Sequence, residues 1–166
     1  MPTIRCDLVD VYVIRQFEGE WLHRADTRIE FLQLCRAVEP ARNTWQPVMG
    51  HIEHGETAIG AAIRELREEV GLKPSDKAFK GMWQLEQVHP FFLASQDAIV
   101  LSPRFVVEVS PEFGPRLNQE HDGWRWIASH QAMRYFMWPG QLQAVREIVD
   151  VVFRPGSITR DALRVC

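Results

Sequence analysis

The chain has 166 residues, 46% of them hydrophobic, and a formal net charge of −3. That length suits one globular domain with a core of its own, and the acidic balance argues against wrapping a nucleic acid polymer, which relies on clustered Lys and Arg. Cys6, Cys35 and Cys166 are odd in number and lack paired spacing, which speaks against a disulfide framework or a zinc cage. No apolar run reaches a membrane span, so a cytoplasmic protein that does not engage membranes is expected.

In chain order, Leu8 to Phe17 alternates and is rich in Val and Ile, and Glu18-Gly19-Glu20 breaks it. Arg28 to Arg36 resumes with Ile29, Phe31 and Leu34, so two paired strands are expected. A loop through Glu39, Pro40 and Asn43 leads to a short strand at Trp45–Met49. Thr57 to Val70 has no Pro and many helix formers and is expected to be a helix, closed by Gly71 and Pro74. Strands are expected at Lys80–Val88 and Ile99–Val109, with a loop around Pro90 to Gln96 between them. Helices follow at Ser129–Tyr135 and Gln141–Phe153, and residues 155–166 read as a tail. The whole of residues 1–166 reads as a single domain.

The helix carries the chemistry. At about 100° per residue, Ile59, Ile63, Leu66 and Val70 form an apolar stripe, and Glu65, Glu68 and Glu69 form a second, acidic one. Like charges at these spacings repel by roughly 0.2–0.5 kcal/mol per pair, and Arg64 and Arg67 relieve this only in part. A bound divalent cation would relieve it fully. Carboxylates without His or Cys favour Mg²⁺ or Mn²⁺ over Zn²⁺. Ala58, Ala61 and Ala62 border the acids with small side chains, and Gly50 and Gly55 in the preceding loop allow close backbone approach.

Gly50, Glu56, Arg64, Glu65, Leu66, Glu68, Glu69, Gly71 and Leu72 together match G-x5-E-x7-R-E-U-x-E-E-x-G-U, with U aliphatic, at every position. Chance would produce this on the order of once in ten million chains of this length. The segment resembles the signature of the Nudix hydrolases. The resemblance implies an α/β/α sandwich with a mixed β-sheet between helices, and metal-assisted attack of water on a pyrophosphate bond. It also implies that Glu65, Glu68 and Glu69 are metal ligands, that Arg64 and Glu56 support them, and that the Met49 backbone carbonyl completes the metal shell. Leu34-Cys35-Arg36, Trp45 to Gly50, Glu120-His121 and Trp126-Ile127 further resemble the dihydroneopterin triphosphate pyrophosphatase branch, also described as dATP pyrophosphohydrolases. That branch implies substrate contacts at Arg36 and Met49 and a further metal ligand at Glu120.

Other candidates come from the residues themselves. Trp83, with Phe91 or Phe92, is a candidate platform for a purine or pterin ring. His89 is a candidate donor to phosphate or proton shuttle, and His51 and His54 flank the loop before the helix. The expected function is Mg²⁺-dependent hydrolysis of a nucleoside or pterin triphosphate to monophosphate and pyrophosphate, with Mn²⁺ as the other suitable cation. The alternatives are a nucleoside diphosphate-linked substrate such as ADP-ribose or diadenosine polyphosphate, and a non-catalytic nucleotide sensor, which would ordinarily have lost a helix carboxylate. The partner is a small molecule, and the protein a monomer or homodimer.

Overall fold

The structure is a computed structural model that describes residues 1–17, 29–88 and 90–166. The break expected at Glu18-Gly19-Glu20, the start of the second strand at Arg28, and His89 lie outside the described residues.

The elements are β1 (Thr3–Arg5), β2 (Leu8–Gln16), β3 (Ile29–Arg36), β4 (Trp45–Gln46), β5 (Val48–His51), α1 (Ala58–Val70), β6 (Phe79–Gln84), β7 (Pro90–Leu93), β8 (Ala98–Leu101), β9 (Arg104–Val109), β10 (His121–Ala128), α2 (Ser129–Tyr135) and α3 (Pro139–Glu147), which runs into a π-type turn at Ile148–Val152. The main sheet has the order β10-β3-β2-β9-β6, with β4 added to β3 and β5 to β2. Its β2–β9 pair is parallel and its other pairs are antiparallel. A small sheet, β1-β8-β7, stands beside it.

Strand alternation divides the interior in two. Val9, Val11 and Val13 of β2, Leu32 and Leu34 of β3, and Phe105, Val107 and Val109 of β9 pack with Ala61, Ala62, Leu66 and Val70 of α1. On the opposite face Tyr12, Ile14, Phe31, Val106 and Ile127 pack with Ala132 of α2 and Ala144, Val145 and Ile148 of the α3 region. The molecule is therefore the expected sandwich of helices around a mixed sheet.

Several local expectations need correcting. Pro47 divides the strand before the helix into β4 and β5, since proline has no N–H for a ladder. Residues 90–93 form β7 rather than part of a loop, paired to β8 from Pro90↔Leu101 to Leu93↔Ala98. His121–Ala128 is a full strand, which its polar start disguised. The segment read as a tail is docked. The Val165 N–H donates to the Met82 carbonyl at 2.8 Å, Met82 N–H to the Cys166 carbonyl at 2.7 Å and Gln84 N–H to the Leu163 carbonyl at 2.9 Å. These bonds cover the outer edge of β6, a row of backbone groups that would otherwise stay unpaired.

Candidate active site

Helix α1 begins where the Thr57 side chain accepts the Gly60 N–H at 3.1 Å, an N-cap that satisfies one orphan donor of the first turn. It ends at Gly71, whose φ of 70° is left-handed, while Leu72 N–H donates to the Leu66 carbonyl at 3.1 Å. Glycine takes this conformation without a Cβ penalty. The helix is thus fixed at both ends.

Its orientation differs from two separate stripes. Ala61, Ala62, Glu65, Leu66, Glu69 and Val70 are the buried residues, so two of the glutamates lie on the sheet side beside the alanines. Ile59, expected in the apolar stripe, is 39% exposed. Small alanines let the helix lie close to the strands, and that closeness carries Glu65 and Glu69 down against β5. Gly50 makes this possible, because a Cβ there would overlap the Glu65 carboxylate.

Arg64 organises the acids. Its Nε and Nη2 reach both Glu56 carboxylate oxygens at 3.1 and 3.0 Å, its Nη1 reaches Glu65 Oε1 at 2.6 Å and Glu68 Oε2 at 3.3 Å, and Nη2 also donates to the His51 carbonyl at 2.7 Å. The fork geometry of a guanidinium suits such multiple contacts. Arg64 holds the Glu56 carboxyl below the usual carboxylate range. Glu65, by contrast, is pushed up by burial, which outweighs the pull of Arg64. Glu68 turns outward to Arg64 and to Arg67 Nη2 at 3.0 Å.

Glu69 is only 2% exposed. Burial first, then repulsion from Glu65, pushes its carboxyl up to about 9, opposed by a hydrogen bond from the Met49 backbone. Its Oε2 is buried without a hydrogen-bond partner among the described residues. A buried carboxylate oxygen in that state costs free energy until something satisfies it.

Arg36, at the end of β3, brings the second half of the site. Its Nη1 lies 3.4 Å from Glu120 Oε2 and its Nε donates to the Pro40 carbonyl at 2.9 Å. Glu120 raises the carboxyls of both Glu65 and Glu69, and Arg36 opposes this at Glu69, so residues far apart in sequence share one electrostatic environment. Beside Glu120, His121 is buried, with Nδ1 3.2 Å from Asn118 Oδ1 and Nε2 3.4 Å from Gln46 Nε2. Asn118, Gln46 and His121 had no expected role. Gln46 and His121 belonged to pieces that carry the branch resemblance, and the only sequence signal for Asn118 was its place in the polar run Asn118-Gln119-Glu120-His121-Asp122.

Trp83 requires a correction. It is 2% exposed and lies in the core on the face opposite α1, with Phe153 at 5.0 Å between ring centroids. Met82 takes the α1 side. Strand alternation therefore sends the Trp83 ring away from the carboxylates, into the opposite core. Phe91 and Phe92 are exposed on β7 of the small sheet. His51 is exposed, with Nδ1 3.7 Å from Asp7.

Among the described residues, no three acidic, His or Cys groups form a ready-made metal cage. The donor set nevertheless fits a hard divalent cation, because it offers carboxylate oxygens only and leaves the Glu69 Oε2 atom unsatisfied. Mg²⁺ ordinarily takes one or two protein carboxylates and fills its shell with water and substrate phosphates.

The NUDIX domain profile matches residues 7–148. The chain belongs to the NUDIX family. A Myxococcus xanthus protein named octanoyltransferase is 33% identical over 104 residues, which cover 61% of this chain and 28% of that protein. The chain therefore spans less than a third of that relative. The mouse bis(5'-nucleosyl)-tetraphosphatase (asymmetrical) is 30% identical over 112 residues, 64% of this chain and 69% of that protein. The structure of the Escherichia coli dihydroneopterin triphosphate pyrophosphohydrolase superposes with a TM-score of 0.62 at 20% identity, covering 86% of this chain and 94% of that one, a likeness of fold. No helix among the described residues is long and apolar enough to cross a membrane.

Proposed function

We propose that the protein is a Mg²⁺-dependent pyrophosphohydrolase that converts a nucleoside or pterin triphosphate into the monophosphate and pyrophosphate. One observation carries the reading. Glu65 lies against Gly50, and the Glu69 carboxyl, beside the Met49 backbone, stays buried with an unsatisfied oxygen.

Glu65 and Glu69 would hold the cation from α1, Glu120 would add a ligand from the turn before β10, and the Met49 carbonyl and Glu68 would complete the protein's share. When bound, a divalent cation supplies charge neutralisation at the phosphoryl oxygens and a lowered pKa for the attacking water. Arg64 fixes Glu65 while remaining in place through Glu56 and the His51 carbonyl. Arg36 is positioned to grip phosphate oxygens in the bidentate manner open to a guanidinium. The proton of the attacking water passes to a carboxylate of the same set. A glutamine variant that loses kcat yet keeps its Mn²⁺ affinity identifies which one.

A second reading is a dinucleotide polyphosphate substrate, favoured by the 30% identity to the mouse tetraphosphatase. Incubation with Mg²⁺ and a panel of dATP, other nucleoside triphosphates, dihydroneopterin triphosphate, diadenosine tetraphosphate and ADP-ribose separates the two by products. Pyrophosphate and a monophosphate from a triphosphate support the first reading. Turnover confined to dinucleotides replaces it with the second, and no turnover of any member overturns both.

A further inference from the structure

Glu120 differs from the helix acids because it stands on a turn, and its side chain is about half exposed, at 52%. A turn glutamate would ordinarily sample many positions. Here its backbone is pinned on both sides. The Glu120 carbonyl accepts the Ala37 N–H at 2.7 Å, and its own N–H donates to Asn118 Oδ1 at 3.1 Å.

The same Asn118 oxygen faces His121 Nδ1 at 3.2 Å, while His121 Nε2 faces Gln46 Nε2 at 3.4 Å. An amide nitrogen only donates, so His121 Nε2 accepts and the ring proton stands on Nδ1, directed at Asn118. His121 and Gln46 are 4% and 7% exposed. Gln46 belongs to β4, paired with Leu34 of β3. Three side chains thus run from the sheet interior to the Glu120 amide. A water-exposed turn needs no such chain to fold, and the function proposed above gives neither His121 nor Gln46 a chemical step.

We propose that Gln46, His121 and Asn118 are positioning residues that hold the Glu120 backbone where its carboxylate can reach the Glu65–Glu69 pair. This rests on the function proposed above, because it assigns Glu120 a share of the cation. The chain of bonds fixes the Glu120 backbone against β3 and leaves only the side-chain torsions free, so the carboxylate, here beside Arg36, would reach a bound cation without carrying the loop away. Groups that orient a metal ligand in this way commonly change metal affinity or activity by about 10- to 100-fold when removed.

The test is a double-mutant cycle read by Mn²⁺ titration calorimetry of the whole protein without nucleotide, alongside kcat and KM on the best substrate of the panel. Asn118→Ala and His121→Ala should each weaken Mn²⁺ binding by about tenfold or more and lower kcat more than they raise KM. His121→Asn keeps a donor toward Asn118 and should recover most of the loss. In a Glu120→Gln background, Asn118→Ala should produce no further loss, since residues acting through one group are not additive. Gln46→Ala breaks the far end of the chain without touching the loop, and it covers the case in which the loop variants do not fold. Multiplicative losses in the cycle, or Mn²⁺ affinity unchanged in Asn118→Ala and Gln46→Ala, would overturn the proposal. Wild-type Mn²⁺ binding that depends on Glu120 in a protein that hydrolyses nothing would overturn the proposed function and leave the positioning role standing.

Discussion

Two buried carboxylates, Asp10 and Glu69, lie on opposite sides of the same corner of the sheet and are treated differently. Asp10 on β2 faces the α3 side and has a built-in counter-ion, Arg104, whose Nε is 3.5 Å away and whose Nη1 donates to the Gly140 carbonyl at 2.9 Å. Burial lifts Asp10 to about 6, and Arg104 and Ser102 restrain it. Glu69 faces α1, has no cation in hydrogen-bonding contact among the described residues, and rises to about 9 with Glu65 and Glu120 adding to the burial. Asp10 thus has an ionic partner within the protein, although Arg104 Nε makes no hydrogen bond of its own among the described residues. Glu69 has no such partner among the described residues, and under the proposed function a cation from solution would supply it, which would separate a structural buried carboxyl from a functional one.

The largest effect should come from Glu69→Gln. It keeps the shape and removes the charge, so turnover in Mg²⁺ should fall by about three orders of magnitude, the several kcal/mol that a bound metal contributes at the transition state. The metal-free variant should unfold at the same temperature as wild type or higher at pH 8. Asp10→Ala should do the reverse. Leaving Arg104 buried without its partner costs about 3–5 kcal/mol, read as a lower midpoint in urea, while kcat of the folded protein stays the same.

Gly50→Ala comes next. Its Cβ would displace the Glu65 carboxylate and break its contact with Arg64, an overpacking of about 1–3 kcal/mol. Circular dichroism should show an intact fold, with kcat reduced more than stability.

The comparison also predicts a pH dependence. A carboxyl whose folded pKa lies above its unfolded value stabilises the fold at low pH and loses that contribution as pH rises through the folded pKa. For Asp10 the loss lies between the ordinary value of 3.8 and about 6, and for Glu69 between 4.5 and about 9. Metal-free wild type should therefore lose thermal stability from pH 6 to pH 9, and the decline should be reduced in Glu69→Gln and by saturating Mg²⁺. The smallest effect is expected from Trp83→Phe, which should cost about 1 kcal/mol through a loosened core and leave KM for any nucleotide unchanged. A raised KM would return Trp83 to the substrate site.

What the sequence made legible was local. The segment from Gly50 to Leu72 carries its own cap, stop and spacing, so α1 and the identity of its acids are readable from contiguous residues. Which face of α1 is buried was not, because the position of Glu65 and Glu69 depends on how closely the alanines allow the helix to approach β5. Which side the Trp83 ring takes was not legible for a similar reason. Alternation shows that Met82 and Trp83 point apart, but not which of them meets α1. Strand β10 and the bonds of residues 163–166 to β6 are non-local pairings, set by partners far away in the chain. Asp10 was visible as a charge inside the apolar run LVDVYVI, yet its partner Arg104 could be found only once β2 and β9 were seen side by side.

The most direct measurement is Mg²⁺ titration calorimetry of the metal-free wild type at pH 7 in buffers of different ionisation enthalpy, repeated with Glu69→Gln. Because ligand carboxyls must lose their protons to bind metal, wild type should release close to one proton per binding event from Glu69, and the variant should bind far more weakly with that release gone. Equal affinity in the two proteins would contradict the claim that Glu69 is a carboxylate completed by a cation, and binding without proton release in wild type would contradict its raised pKa.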